Sequence, residues 1–146
     1  MKTIETTADI AKHEVIELLF NYGITPTQQR IEIACILFSH PQHVSAVQMI
    51  AQLNSNQQKA SKATIYNTLG LFAKRGLIRE IIVDPTKVFY NSKTTDHHHF
   101  YNMDTRVLTD IDDEQLLSPH LPKPPEGTEL ERIDVIYRIR NTKAIQ

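Results

Sequence analysis

Ser61-Lys62-Ala63-Thr64-Ile65-Tyr66-Asn67-Thr68-Leu69-Gly70-Leu71-Phe72-Ala73-Lys74-Arg75-Gly76 is the stretch that decides the fold. Ile65, Thr68, Leu69 and Phe72 recur at helical spacing and face inward. Lys62, Thr64, Tyr66 and Asn67 lie elsewhere around the same helix, mostly outward. Gly76 closes it, as glycine does where a chain must turn left-handed. Two apolar, β-branched runs follow, Leu77 to Val83 and Lys87 to Asn91, with Asp84-Pro85-Thr86 as turn chemistry between them.

Working back towards the N-terminus, three more helices are expected. Asp9 to Tyr22 places Ala11, Val15, Leu18, Leu19 and Tyr22 on one face and stops at Gly23. Thr25-Pro26-Thr27-Gln28 reads as a capping box with Thr25 at the N-cap and Pro26 at N1, ahead of an Ile31, Ala34, Cys35, Phe38 stripe. Ser45 with Gln48 reads as a second capping box, ahead of Ala46, Met49, Ile50 and Leu53. Short helices followed by a hairpin are the order of a winged helix–turn–helix. The expected class is therefore α+β, with that domain over residues 1–91.

Downstream of Asn91 the texture changes. Residues 92–146 are expected to form a smaller α/β dimerisation domain. Phe100 to Ile111 reads as one or two strands and Asp112 to Leu117 as a short helix or turn. A proline-rich loop then leads to an alternating strand from Ile133 to Arg140. Its apolar face, Ile133, Val135, Tyr137 and Ile139, should be half-buried against the first strand or a second chain.

With 146 residues, 40% hydrophobic and 23% charged, the chain is a globular protein rather than a disordered one. No apolar run is long enough for a membrane span, and the first 17 residues lack the core of a signal peptide, so a cytoplasmic location is expected. Cys35 is the sole cysteine and sits in an apolar helix pattern, which suits a core thiol better than a redox or haem-thiolate role. Four glycines and no H-E-x-x-H spacing leave neither a phosphate-binding loop nor a zinc-hydrolase motif, and no enzyme is expected.

Net charge is −1, yet Lys59 to Lys87 carries six basic residues against two acidic ones, a local +4. A basic face on a near-neutral protein suits phosphates. The helix over Ser61–Arg75 adds hydrogen-bonding side chains to that charge. Asn67 offers the paired donor and acceptor of an adenine edge, Thr64 and Tyr66 can donate to phosphate or base, and Lys62 and Lys74 can neutralise phosphates. An ordinary amphipathic helix competes with this reading, and the downstream hairpin and local charge tip it towards double-stranded DNA.

His97-His98-His99 follows Asp96 and precedes Phe100-Tyr101. On a strand, His97 and His99 share one side, and His98 lies with Asp96 on the other. Imidazole suits Zn, Fe, Ni and Cu, carboxylate adds Mn or Fe, and imidazole is also the usual axial ligand of haem. His43, just before the third helix, is a candidate further ligand. His13, His40 and His120 read as solvated.

Together, Gly23-Ile24-Thr25-Pro26-Thr27-Gln28-Gln29-Arg30, His43-Val44-Ser45-Ala46, Ala63-Thr64-Ile65-Tyr66-Asn67-Thr68-Leu69 and Arg75-Gly76-Leu77-Ile78 resemble the ferric uptake regulator family. The likeness runs from about Gly23 to Arg140. Val83-Asp84-Pro85-Thr86-Lys87, His97-His98-His99-Phe100-Tyr101-Asn102, Pro125-Glu126-Gly127 and Ile133-Asp134-Val135 look like its iron response regulator branch. The resemblance implies a homodimeric transcription regulator that binds AT-rich palindromic operators, with Arg30 joining the DNA-contacting set. It implies a divalent metal (Fe, Mn or Zn) at His43, His97 and His99, and a second metal or haem position at Asp96 and His98. Haem at the histidine run would then relieve DNA binding. The alternative is a metal-activated or peroxide-sensing regulator without haem. The sequence departs from the family at several points. Tyr90 stands where a wing-strand glutamate is usual. Asn102 and Thr105 occupy the place of a zinc-binding Cys-x-x-Cys pair. Cys35 is followed by Ile36, so a Cys-Pro haem motif is absent.

Overall fold

The structure, a computed structural model, describes residues 4–55, 60–92, 98–111 and 121–143, with side chains from residue 12 onward. The chain divides into two compact units, Met1–Thr94 and Thr95–Gln146.

The first unit runs α1 (Ile4–Asn21), α2 (Gln28–Leu37), β1 (His43–Ser45), α3 (Ala46–Ser55), α4 (Lys62–Lys74), β2 (Arg79–Asp84) and β3 (Lys87–Asn91). It is a winged helix–turn–helix. α1 begins at Ile4 rather than Asp9, because no glycine or proline interrupts the intervening residues. Val15 and Leu19 are buried as expected, whereas Tyr22 lies past the helix end and is exposed.

The N-cap of α2 is Thr27, not Thr25. Thr27 is extended (φ −106°, ψ 163°) and its hydroxyl accepts from the Arg30 amide at 3.3 Å. The buried face of α2 is accordingly Ile33, Ala34 and Leu37, with Ile31, Cys35 and Phe38 only partly covered.

Ser45 and Gln48 form the reciprocal capping box that the sequence announces. The Gln48 Oε1 accepts from the Ser45 amide at 2.9 Å, and the Ser45 Oγ accepts from the Gln48 amide at 3.2 Å. Ser61 caps α4 in the same way, its Oγ accepting from the Thr64 amide at 3.1 Å. Ile65, Thr68, Leu69 and Phe72 are all buried, and Gly76 takes φ +80° after the last turn. The core joins these residues to Leu19, Ile24, Ile33, Leu37, Val44, Met49 and Leu53. Burying that set of large aliphatic and aromatic side chains contributes about 1.5–3 kcal/mol each, against the entropy of ordering the chain.

The three-stranded sheet has the order β1-β3-β2, antiparallel throughout. β1 is a strand that periodicity did not predict, since three residues carry no usable period. It pairs His43 with Asn91, Val44 with Tyr90 and Ser45 with Phe89. The wing turn is closed by Asp84, whose Oδ1 accepts from the Thr86 amide at 2.8 Å and the Thr86 hydroxyl at 2.7 Å.

The second unit holds β4 (His98–Asn102), β5 (Leu108–Ile111) and β6 (Ile136–Ile139) in the order β5-β4-β6. β4 and β5 are antiparallel, and β4 and β6 are parallel. The expected helix or turn at Asp112–Leu117 lies outside the described residues. The expected half-buried strand pairs with β4, with Tyr137 and Ile139 about half-covered at 45% and 40% exposure and the Tyr137 ring edge-on to Phe100 at 5.5 Å. At the far end of the sheet, Asn102 holds the β4–β5 turn. Its Oδ1 accepts from the amides of Asp104 (2.9 Å) and Thr105 (3.1 Å), and its Nδ2 donates to Asn141 Oδ1 at 2.8 Å. Asp104 Oδ2 in turn accepts from the Asn141 amide at 2.9 Å. A hydrogen-bonded clamp thus stands where the family pattern would put cysteines.

Candidate nucleic-acid interface and metal centre

The outward face of α4 is set by its own buried stripe. With Ile65, Thr68, Leu69 and Phe72 in the core, a turn of 100° per residue leaves Lys62, Tyr66, Asn67 and Lys74 in solvent, and all four are exposed. Lys62 and Lys74 are the first and last residues of the helix, about 18 Å apart along the axis at 1.5 Å per residue. Tyr66 is 43% exposed, enough to present its ring and hydroxyl together.

Arg30, Thr64 and Asn67 meet along one polar cleft of about 320 Å³ between the start of α2 and α4, with Thr27, Gln29, Thr68 and Leu71. One fork nitrogen of Arg30 donates to the Thr25 carbonyl at 2.8 Å, which aims the guanidinium and leaves its other donors for an anion. Thr64 is less available than its sequence position implied. Its hydroxyl is 2.8 Å from the Ser61 Oγ within the cap, so it serves the helix before any ligand.

On the other flank of α4 a second cleft, about 390 Å³, is lined by Tyr66, Tyr90, Ser45, Thr86 and Lys87 among others. Lys87 and Thr86 were not among the candidate contacts. The hairpin signal was sufficient to suggest them, since a wing tip beside a recognition helix is where phosphates pass. Lys87 Nζ lies 5.4 Å from the Phe89 ring centroid, which holds the cation on the wing.

The histidine run divides on β4. His99 is buried, at 2% exposure, and its Nε2 lies 3.2 Å from Asp110 Oδ1, its cross-strand partner in the β4–β5 ladder. Asp110 was missed from the sequence. At metal–donor distances of about 2.1 Å, two donors 3.2 Å apart subtend an angle of about 100° at a shared ion, between the octahedral and tetrahedral values. A buried imidazole and a carboxylate at that spacing therefore fit a first-row divalent cation.

His98 points elsewhere. Its Nδ1 accepts from the Val135 amide at 3.0 Å, which places the ring proton on Nε2 and removes the lone pair a metal would need. His97 and Asp96 lie outside the described residues. His43 opens β1 in the first unit, opposite Asn91.

Tyr90, in place of a carboxylate, belongs to the first unit's core. Burial, then the Glu80 carboxylate, then Tyr66 push its phenol above the ordinary value, so it stays neutral and supplies no negative charge. Cys35 is likewise held as a thiol: burial raises its pKa, Lys12 opposes this, and Glu32 adds to it.

The family model described as the ferric uptake regulator family matches residues 21–137. The chain belongs to that family. Its members are transcription regulators, not enzymes. Among curated relatives, the chain is 30% identical over 86 residues to the peroxide operon regulator of Bacillus subtilis, a match covering 59% of each protein. It is 36% identical over 76 residues to the ferric uptake regulation protein of Synechococcus elongatus, covering 50% of this chain and 52% of the relative. These matches thus span between half and three fifths of the relatives' lengths. Among solved structures, the ferric uptake regulator of Pseudomonas aeruginosa with manganese aligns at a TM-score of 0.66 and 22% identity, over 88% of this chain and 98% of that one. That of Vibrio cholerae aligns at 0.68 and 17%, over 86% and 98%. At those identities the structures establish the fold. Among the described residues, no helix is long and apolar enough to cross a membrane.

Proposed function

We propose that the chain is a transcription regulator whose hold on double-stranded DNA depends on a divalent metal bound at its histidine strand. The observation that carries this is the buried His99 imidazole 3.2 Å from the Asp110 carboxylate, on a chain whose α4 presents Lys62, Tyr66 and Asn67 to solvent. Mn²⁺, Fe²⁺ and Zn²⁺ all accept such a mixed set of nitrogen and oxygen donors. His97 and, from the first unit, His43 complete the proposed ligand set, on the strength of the family resemblance. On the DNA side, Arg30, Lys62 and Lys74 hold phosphates, while Tyr66 and Asn67 reach base edges and Thr64 stiffens the helix start. The acting form is a homodimer in the cytoplasm on an AT-rich palindromic operator.

Two signals were open from the sequence, and the geometry favours the free metal over haem. A haem needs an imidazole with an open nitrogen facing a large flat cavity. His99 is buried against Asp110 and the Nδ1 of His98 accepts from the Val135 amide, which supports a small ion over haem at these two histidines, while His97 lies outside the described residues. Haem control, membership of the iron response regulator branch and a second metal at Asp96 and His98 rest on the sequence motifs alone. Peroxide sensing would draw on the same His99–Asp110 centre loaded with iron.

A gel shift with an AT-rich palindromic duplex, run in Mn²⁺ and in chelator, tests the proposal. Binding should need Mn²⁺ in the wild type and be lost in His99→Ala. Equal binding in chelator would overturn metal control. Release by haemin would restore the haem reading.

A further inference from the structure

Gly70 lies near the middle of α4, and nothing among the described residues asks for it. Glycine is among the least favourable residues in a helix interior. Helical glycines are usually kept where a packed neighbour leaves no room for a side chain. Here a Cβ built on Gly70 would meet no atom within 4 Å among the described residues, and the residue has no positive φ to defend. Alanine would fit and would favour the helix.

The position on the helix supplies a reason. Asn67, Gly70 and Lys74 stand at i, i+3 and i+7, on the side opposite Ile65, Thr68, Leu69 and Phe72. Gly70 thus lies on the side of the helix turned away from the core, partly exposed, one turn from the residue best suited to an adenine edge. A helix with its side chains is about 10–12 Å across, and the major groove is about 12 Å wide, so contact leaves almost no slack. At Gly70 the bare backbone removes one side chain from that contact.

We infer that Gly70 is a positioning residue: it lets the second half of α4 sit deep in the major groove, so that the Asn67 amide reaches a base edge. This rests on the DNA-binding reading above and names a determinant of its specificity. Gly70 itself touches no base through a side chain. Its effect passes through the depth of the helix and thus through Asn67.

The test uses the full-length protein loaded with Mn²⁺ and a duplex that the wild type selects from a random-sequence library. Affinities are measured for that duplex and for a version carrying 7-deazaadenine, which lacks the N7 acceptor that an Asn amide would use. Gly70→Ala should melt at the same or a higher temperature, yet bind the selected duplex about tenfold or more weakly, the scale of one bidentate base contact. The wild type's preference for adenine over 7-deazaadenine should shrink in the variant. Affinity within twofold of wild type would overturn the inference. So would a lowered melting temperature, which would mean that the fold itself needs the bare backbone. If the wild type selects no duplex at all, the DNA-binding reading falls and this inference falls with it. Selection by the wild type together with indifference to Gly70→Ala sinks the inference alone.

Discussion

Replacing Asp110 by asparagine keeps the shape of the side chain and removes its charge, so it isolates what the carboxylate does beside His99. If Asp110 is a direct ligand, the 3.2 Å separation from His99 Nε2 is the bite of a shared ion. If instead it only orients the imidazole, the metal must bind through Nδ1 of His99 and the carboxylate is an outer partner. Outer partners of ligating histidines are typically worth about 10- to 100-fold in metal affinity. A direct charged ligand should reach at least the top of that range, about 100-fold, or about 2.8 kcal/mol at 1.4 kcal/mol per decade. Free Mn²⁺ measured by solution electron paramagnetic resonance during a titration gives the affinity without reference to DNA. The variant should bind Mn²⁺ about 100-fold more weakly, and the Mn²⁺ midpoint of any DNA response should move by the same factor. Affinity within twofold of wild type would refute the assignment of Asp110 to the metal centre.

Other consequences follow from single contacts. Ser61→Ala removes the α4 cap and should cost about 1 kcal/mol, seen as a melting temperature lower by about 4–8 °C for a unit of this size. Asn102→Ala deletes three side-chain hydrogen bonds and should destabilise the second unit by about 1–2 kcal/mol, read as faster amide exchange in β4 and β5. Lys62→Ala and Lys74→Ala should each weaken DNA binding evenly across sequences and lower the salt slope by about 1. For Tyr90, the folded pKa lies above the ordinary 10.0, so its contribution is intact below pH 10 and is lost as pH rises towards the folded value. Tyr90→Phe should therefore flatten the alkaline fall in stability measured by denaturant melts.

Local physics made much of the first unit legible. The Ser45–Gln48 box and the Ile65, Thr68, Leu69, Phe72 stripe depend only on residues within two turns, and each appears where the sequence puts it. The α2 cap was misplaced because Thr25 and Thr27 both precede a helix, and only the extended conformation at Thr27 decides between them. β1 escaped notice because three residues become a strand only through pairing with β3, more than 40 positions away. Asp110 escaped notice for the same reason. Asp110 meets His99 through the hairpin register, which depends on the Asn102 turn and on Arg106 adopting φ +62°. Counting back from that turn would have paired 99 with 110. The alternation of the histidines along the strand was readable, but not that the Val135 amide would claim His98.

The most direct test of the whole account is fluorescence anisotropy of the wild type and of Asn67→Ala on a selected duplex, each with Mn²⁺ and with chelator. Metal should tighten the wild type at least tenfold, and the Asn67 change should erase most of that gain by removing one base contact. An affinity that ignores both the metal and Asn67 would contradict a metal-governed DNA reader built on α4.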